Sequence, residues 1–308
     1  MTVLEAATLF LEHLKKTRSV QTVRTYGYVL RRFCQFVSPS LPLEALSLDA
    51  VTSYLNTLSS LSPYTERVHG QAVKSFFVFL AAQGWKEVNF ARLSLIMKGR
   101  RRLPQRLITF PEREVERLLG EVLLVIEGSF EVRDLSRLRE LRDAALIVTL
   151  AHTGLRVSEV VRLRVGDILW DEGKAIIVGK GGKQAIVWFS RQALRALRTY
   201  LEARSRLISP ISSSQPLFSG HGGRAGKKLK SLSPRQVERV LSAWVTKDMG
   251  GITPHTLRHY FVTRVVRKAG VSIAKKLARH ASISTTDRYT HLGDVEVERA
   301  YRRAFSEP

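Results

Sequence analysis

Two short runs of β-branched and apolar residues, AIIV and AIVWF, flank the segment GKGGKQ within residues 175–189. Such runs joined by Gly181 and Gly182 predict a β-hairpin, because a tight two-residue turn favours glycine. Most other apolar residues recur at helical spacing, and residues 1–95 show no strand-like alternation. The chain is therefore expected to be mainly α-helical, with one small antiparallel β-sheet.

The length of the chain and a basic segment near its first third predict two domains. A chain of 308 residues can build two domains of ordinary size, each with its own core. Residues 1–96 are predicted to form a small helical domain. Residues 97–108 begin with the run MKGRRRLPQR, which contains glycine and proline and lacks an apolar stripe. We expect this segment to be a linker, either solvated or lying on phosphates, and residues 109–308 to form the second domain.

Capping residues predict several helix boundaries. Ser62 followed by Pro63 is typical of an N-cap and a first helical residue. The segment TFPE places Thr109 three residues before Glu112, which predicts a capping box. The helix that it opens is expected to end near Gly120. The second domain is thus expected to be mostly α-helical around the hairpin.

The charge of the chain indicates a polyanionic partner. The formal net charge is +23, and a surplus of this size repels itself unless an anion offsets it. Nucleic acid is the polyanion that it favours most, and an acidic membrane surface is the second alternative. Residues 1–98 hold 11 Lys/Arg and 6 Asp/Glu, a net charge of +5, which leaves +18 for the rest. Both domains are therefore expected to contact the polyanion.

Other sequence features disfavour membrane and secreted proteins. No stretch approaches the run of about 18 apolar residues that a membrane span needs. The first residues include Glu5 and Glu12 and lack the basic start of a signal peptide. Cys34 is the only cysteine, which excludes an intrachain disulfide and a zinc site built on cysteines. A cytoplasmic protein is expected.

Three stretches carry residues of types that can bind phosphate. Arg156 follows a glycine turn in AHTGLRVSEV, and Lys180 and Lys183 flank the glycines of the hairpin. In TPHTLRHYFVT, His255 and Arg258 are three residues apart and share a helix face if Pro254 opens the helix. A guanidinium binds two phosphate oxygens as a fork, and an imidazole can exchange a proton. Each stretch alone is more often a solvated surface than a site.

A fourth stretch, RHASISTTDRYTH, contains His280 and Tyr289. A single tyrosine in a polar segment is usually structural. Together with the arginines, lysines and histidines, however, it completes the groups needed for covalent phosphoryl transfer, namely a nucleophile, positive charge and an acid for the leaving oxygen. The sequence has no clear acidic cluster for two metal ions and no GxxxxGK[ST] phosphate loop. Chemistry supported by arginine and lysine is therefore favoured over chemistry supported by magnesium.

The motifs HTGLRVSEV, VGKGGK, HTLRHYFVT and RHASISTTDRYTH, in this order, resemble those of the tyrosine recombinases, most closely the Xer-like and phage-integrase-like members. The resemblance spans the whole chain. It implies a helical, SAM-like, DNA-binding core-binding domain in residues 1–96 and a catalytic domain in residues 109–308. It also implies a site-specific recombinase that needs neither ATP nor a metal or other cofactor.

The resemblance implies a role for each motif residue. Tyr289 would attack a DNA phosphodiester and form a 3′-phosphotyrosine, while Arg156 and Arg258 hold the phosphate. Lys180 would protonate the 5′ oxygen, and His255 would act as a general base or hydrogen-bond partner. The remaining expected site residues are His280 as a hydrogen-bond donor to the phosphate, Glu159 as a carboxylate that supports the site, and Arg100, Arg101, Arg102 and Lys183 as DNA contacts.

The same resemblance implies a tetramer on two DNA duplexes, acting through a Holliday junction, either of one protein or with a paralogue.

The C-terminal helix, expected at residues 294–305, has an apolar stripe that includes Tyr301 and Phe305. It could pack on its own domain, whereas the resemblance implies docking into a neighbouring subunit. Arg279 stands where the family commonly has glycine, a departure from the family pattern at this turn. A type IB topoisomerase and a catalytically silent DNA-binding protein are the alternatives.

Overall fold

The computed structural model describes residues 1–98, 111–128, 132–178, 184–221, 229–279 and 294–305, the last without the side chains of 294–297 and 300. The chain divides into two compact units, Met1–Leu107 and Ile108–Pro308. None of the helices in the described ranges is both long and apolar enough to cross a membrane. The fold is mainly α-helical with a small antiparallel sheet, as predicted from the sequence.

The first unit is helical in its described part. Its core contains aromatic side chains from four helices, and the rings of Phe10 and Phe76 pack at a tilt with centroids 5.8 Å apart. Ser62 caps the fourth helix by accepting a hydrogen bond from the main-chain N–H of Thr65, and Pro63 is the first helical residue, which confirms that predicted boundary. The helices are α1 (Val3–Thr17), α2 (Val20–Val37), α3 (Leu48–Asn56), α4 (Pro63–Ala82) and α5 (Phe90–Lys98).

The second unit surrounds a buried helix. Helix α7 is buried along most of its length because it packs against α6, α9 and α11, so its apolar residues form no single stripe. The helices are α6 (Glu112–Glu127), α7 (Leu135–Thr153), α8 (Val157–Val160), α9 (Arg191–Leu207), α10 (Pro234–Trp244), α11 (Pro254–Ala269), α12 (Val271–Ala278) and α13 (Asp294–Phe305).

Two predictions about the start of the second unit are wrong. Helix α6 begins at Glu112 with Pro111 as its N-cap, so Glu112 is not the third helical residue after a Thr109 cap. Thr109 itself lies outside the described residues. The helix also continues through Gly120 to Glu127, because Val122 and Ile126 are buried in the core and outweigh the low helix propensity of one glycine.

The sheet has three antiparallel strands, β1 (Ile168–Leu169), β2 (Lys174–Val178) and β3 (Gln184–Trp188), in this order. Ala175 pairs with Val187, and Val178 pairs with Gln184. This register differs by one residue from the one that a two-residue turn at Gly181 and Gly182 would give. The observed register places two buried side chains, Ala175 and Val187, opposite each other, and the shift that a two-residue turn requires would place Val187 opposite the exposed Ile176. The glycines themselves lie outside the described residues.

Candidate active site

Arg156 follows the turn that ends helix α7. Gly154 is the C-cap of α7 and has a φ of 59°, in the left-handed region that favours glycine. The chain then enters the single turn α8, where Glu159 accepts a hydrogen bond from the main-chain N–H of Arg156 at 2.8 Å. The Arg156 guanidinium also forms an ion pair with Glu159 at 2.9 Å. Its side chain is 41% exposed, so it remains accessible to a ligand.

Arg258 lies inside the site. Helix α11 begins at Pro254, as the sequence predicts, and Arg258 occupies its second turn with only 5% of its surface exposed. Its guanidinium donates hydrogen bonds to the main-chain carbonyls of Gly154 and Ala278. These carbonyls lie at the C-terminal ends of α7 and α12, where carbonyl groups lack helical partners and the helix dipole is negative.

Arg279 is a third guanidinium in this place. It is the C-cap of α12 in a left-handed conformation, with φ 55° and ψ 46°, so the turn that favours glycine forms here with arginine. Its side chain is only 12% exposed and forms an ion pair with Glu159 at 2.9 Å. Its own carbonyl accepts a hydrogen bond from the guanidinium of Arg156 at 3.0 Å. The expectation from sequence omitted Arg279 from the site, although its departure from glycine marked the position.

The pKa values of these groups reflect their burial and mutual charge. Burial lowers the pKa of Arg258 to about 10, with further lowering by the charges of Arg156 and Arg279. Burial also lowers the pKa of Arg279, and Glu159 opposes this change. Burial raises the pKa of Glu159, but the charge of Arg279 and hydrogen bonds from both arginines outweigh it and hold the pKa below its usual value. Glu159 is therefore ionised at neutral pH.

The structure brings together three of the expected site residues, Arg156, Glu159 and Arg258. His255 lies in the first turn of α11, three residues before Arg258, with an exposed side chain. The other expected residues lie outside the described ranges, namely Lys180, Lys183, His280, Tyr289, Arg100, Arg101 and Arg102.

A group of buried residues lies next to the turn at Gly154, and no sequence motif indicated it. His152, two residues before Gly154, is buried and its Nδ1 lies 2.7 Å from Oγ of Ser190. Burial, aided by Arg264, lowers its pKa to about 3. The ring of Phe305 packs at a tilt against the His152 ring, with centroids 5.1 Å apart. Helix α13 thus packs on its own unit in this single chain, which is the alternative to the neighbour docking that the resemblance implies.

The chemistry open to this cluster is anion binding. Three guanidiniums surround one carboxylate in the described part of the site, so positive charge exceeds negative charge. Forked guanidiniums match the oxygens of a phosphate and stabilise the charge that develops there during phosphoryl transfer. The two helix C-termini fix Arg258 before a substrate arrives, which reduces the reorganisation that binding requires.

Comparison with protein-family models identifies both units. Residues 129–296 match the phage integrase family, and residues 7–84 match the phage integrase N-terminal SAM-like domain. The tyrosine recombinase XerC of Pelobacter propionicus is 30% identical to the chain over 98% of this chain and 95% of its own length.

Solved structures share the fold. The Tn1549 transposon integrase in complex with circular intermediate DNA aligns with a TM-score of 0.65 at 17% identity, covering 100% of this chain and 96% of that chain. A lambda integrase tetramer bound to a Holliday junction aligns with a TM-score of 0.64 at 16% identity, covering 94% of this chain and 80% of that chain.

Proposed function

The chain belongs to the phage integrase family, the tyrosine recombinases, and we propose that it cuts and rejoins DNA at a specific site through a covalent 3′-phosphotyrosine intermediate. The family membership makes it an enzyme of DNA strand breakage and rejoining. The identity of the covalent intermediate and the roles of individual residues are part of the proposal.

The assignment of the site is supported most strongly by two hydrogen bonds to consecutive main-chain carbonyls. The carbonyls of Ala278 and Arg279, which are consecutive in the chain, accept hydrogen bonds from Arg258 and Arg156 respectively. The first residue after this pair is His280, and Tyr289 follows nine residues later. Both phosphate-binding arginines are therefore attached to the main chain directly before the segment that contains the proposed nucleophile. This attachment supports one site built from three motifs that are far apart in sequence.

The proposed reaction has two steps. In the first, Oη of Tyr289 forms a bond to phosphorus, His255 accepts or hydrogen-bonds the phenol proton, and the bond from phosphorus to the 5′ oxygen breaks. Lys180 donates a proton to that oxygen, while Arg156 and Arg258 offset the charge on the phosphate with help from His280. In the second step, the 5′ hydroxyl of a partner strand attacks phosphorus and gives its proton to Lys180, the bond from phosphorus to Oη breaks, and Tyr289 leaves with the proton returned by His255. The phosphotyrosine conserves the bond energy, so neither ATP nor a metal ion is required.

Charge supports DNA as the substrate. The net charge is +5 for residues 1–98 and +18 for the remainder of the chain, so each part can neutralise phosphates. We propose that residues 1–96 form a DNA-binding domain and that the basic linker, residues 97–108, contacts the backbone through Arg100, Arg101 and Arg102. Lys183 would contact DNA from the hairpin. The site of action would be chromosomal DNA in the cytoplasm.

Assembly follows from the reaction. Exchange of strands between two duplexes needs four cuts, and the lambda integrase tetramer on a Holliday junction has the same fold. We propose that four copies of this chain, or this chain with a paralogue, act on two duplexes. The distinction from a topoisomerase-like enzyme is testable, because relaxation needs one duplex and recombination needs two. Purified protein should join two labelled duplexes that carry its site, whereas relaxation of a plasmid without any joined product would favour the topoisomerase-like alternative.

A further inference from the structure

We propose that Arg279 is a positioning residue that offsets the charge of Glu159, so that Arg156 and Arg258 present their full positive charge to the scissile phosphate. The proposal rests on the proposed function. It concerns a residue that the motif roles described above leave unassigned.

Glu159 contacts both Arg156 and Arg279. One carboxylate oxygen, Oε1, pairs with Arg156 at 2.9 Å, and the other, Oε2, pairs with Arg279 at 2.9 Å. Oε2 also accepts the main-chain N–H of Arg156 at 2.8 Å. Glu159 therefore orients Arg156 from two directions. A carboxylate so close to a phosphate-binding guanidinium also weakens the attraction of that guanidinium for a phosphate, because the two anions repel each other.

Arg279 offsets this repulsion without competing for the ligand. Its side chain is 88% buried and faces Glu159, whereas the Arg156 side chain is 41% exposed. The same nitrogen of Arg279 that pairs with Glu159, Nη2, also lies 3.4 Å from the carbonyl oxygen of Gly154, which accepts a hydrogen bond from Arg258 as well. Arg279 is thus fixed beside both phosphate-binding arginines while it neutralises Glu159.

The main chain indicates that the side chain matters at this position. The φ of Arg279 is 55°, a conformation that residues other than glycine and asparagine adopt infrequently. Arg279 and Ser38 are the two non-glycine residues with positive φ in the described ranges. Glycine would satisfy this turn with less strain but would leave Glu159 paired with Arg156 alone.

The test uses Arg279→Gly, which removes the guanidinium and favours the left-handed turn, so the fold is retained. Cleavage is measured as single-turnover formation of the covalent adduct on nicked suicide DNA that carries the recombination site. A second DNA has a methylphosphonate at the scissile position, which is neutral. We expect the variant to cleave the phosphodiester about tenfold more slowly than the wild type and the methylphosphonate within about twofold of it. Arg279→Lys, which keeps the charge, should restore most of the phosphodiester rate.

Two outcomes would overturn the proposed role of Arg279. Equal slowing on both DNAs would mean that Arg279 only maintains the structure, and unchanged or faster cleavage of the phosphodiester would mean that it does not assist the arginines. Arg195→Gly is the matched control, because Arg195 is 67% exposed and its carboxylate neighbour is Glu127 rather than Glu159. If the wild-type chain forms no adduct on either DNA, the proposed function itself fails, which is distinct from a failure confined to the variant.

A double-mutant cycle provides an independent check. Glu159→Gln removes the carboxylate charge and slows cleavage by disturbing Arg156. If Arg279 acts through Glu159, the double variant Glu159→Gln with Arg279→Gly should cleave the phosphodiester less than about twofold more slowly than Glu159→Gln alone. Losses that multiply to the full product of the two single effects would contradict the proposal.

Discussion

The hydroxyl of Tyr301 donates a hydrogen bond of 3.1 Å to the main-chain carbonyl of His152, although the two residues are 149 positions apart in the chain. His152 is near the C-terminus of α7, where helical carbonyls lack partners within the helix. The bond therefore attaches the C-terminal helix to the residues that lead into Gly154 and Arg156. Phe305 stacks on Phe261 of α11 with centroids 5.6 Å apart and extends this attachment to the helix that carries Arg258.

Tyr301→Phe should lower the free energy of unfolding of the second unit by about 1–3 kcal/mol, because a buried carbonyl loses its donor. Tyr301→Ala should lower it by about 3–5 kcal/mol, since a fully buried ring is also lost from its contacts with Phe261 and Phe305. Urea denaturation monitored by tryptophan fluorescence measures both, because Trp188 lies beside Tyr301.

The matched control is Tyr28→Phe in the first unit. Tyr28 is 55% exposed and accepts a hydrogen bond from Arg32 at 3.3 Å, so its loss should change the free energy by no more than about 0.5 kcal/mol. A Tyr301→Phe variant as stable as the wild type would show that α13 does not depend on this bond.

Gly154→Ala should destabilise the second unit by at least about 2 kcal/mol and slow cleavage. Gly154 has a φ of 59°, and a Cβ there would lie 2.4 Å from Cδ1 of Phe261, so strain and a steric clash add together. The comparison is Gly120→Ala inside α6, where a Cβ meets no atom within 4 Å. That variant should be more stable by about 0.5–1 kcal/mol, because alanine favours a helix. Thermal melting of the two variants should therefore move in opposite directions.

Arg156→Ala and Arg258→Ala should both abolish covalent adduct formation but differ in stability. Arg156 has a partly exposed side chain, so its loss should change the melting temperature little. Loss of Arg258 leaves the buried carbonyls of Gly154 and Ala278 without their donor, and should lower the free energy of unfolding by about 2 kcal/mol or more. Equal melting temperatures for the two variants would contradict the structural role of Arg258.

Stability of the second unit should fall as the pH decreases from about 6.5. Burial, with smaller contributions from nearby arginines, lowers the pKa of both His152 and His221 to about 3. The unfolded chain takes up these protons near pH 6.5, but the folded chain stays neutral, so the unfolded state binds more protons in the window between. Each histidine therefore lowers the free energy of unfolding by about 1.4 kcal/mol for each unit by which the pH decreases in this window.

The variant His221→Asn should reduce the slope of unfolding free energy against pH between 6 and 4 by the contribution of one histidine, about 1.4 kcal/mol per pH unit. Denaturant titrations at several pH values measure the slope. A slope identical to that of the wild type would mean that His221 titrates normally in the folded protein.

Local sequence patterns predicted which helices and strands form better than they predicted where these helices and strands end. The helix beginning at Pro63 and the hairpin runs are read from short-range signals, and α4, β2 and β3 form there. The register between β2 and β3 depends on which side chains the rest of the unit buries, and the continuation of α6 past Gly120 depends on Val122 and Ile126 in the core. Such tertiary contacts are absent from any local pattern.

The same limit applies to the prediction of the site. The motif order indicated Arg156, Glu159 and Arg258, which the structure brings together around the ends of α7 and α12. The insertion of Arg279 among them could not be predicted, because a residue that replaces glycine in a turn usually faces solvent. The buried His152 carried no signal either, since its environment is created by Ser190 and Phe305 from distant parts of the chain.

The proposed function requires Tyr289 to form a covalent bond to DNA. Adduct formation can be measured on a radiolabelled suicide duplex, which is nicked so that the released fragment diffuses away. Denaturing electrophoresis then separates the covalent adduct from free DNA. Tyr64→Phe, which alters an exposed tyrosine of the first unit, is the control. The wild type and Tyr64→Phe should form the adduct, and Tyr289→Phe should form none despite unchanged DNA binding. Absence of an adduct with the wild type, or an equal amount with Tyr289→Phe, would show that Tyr289 is not the nucleophile.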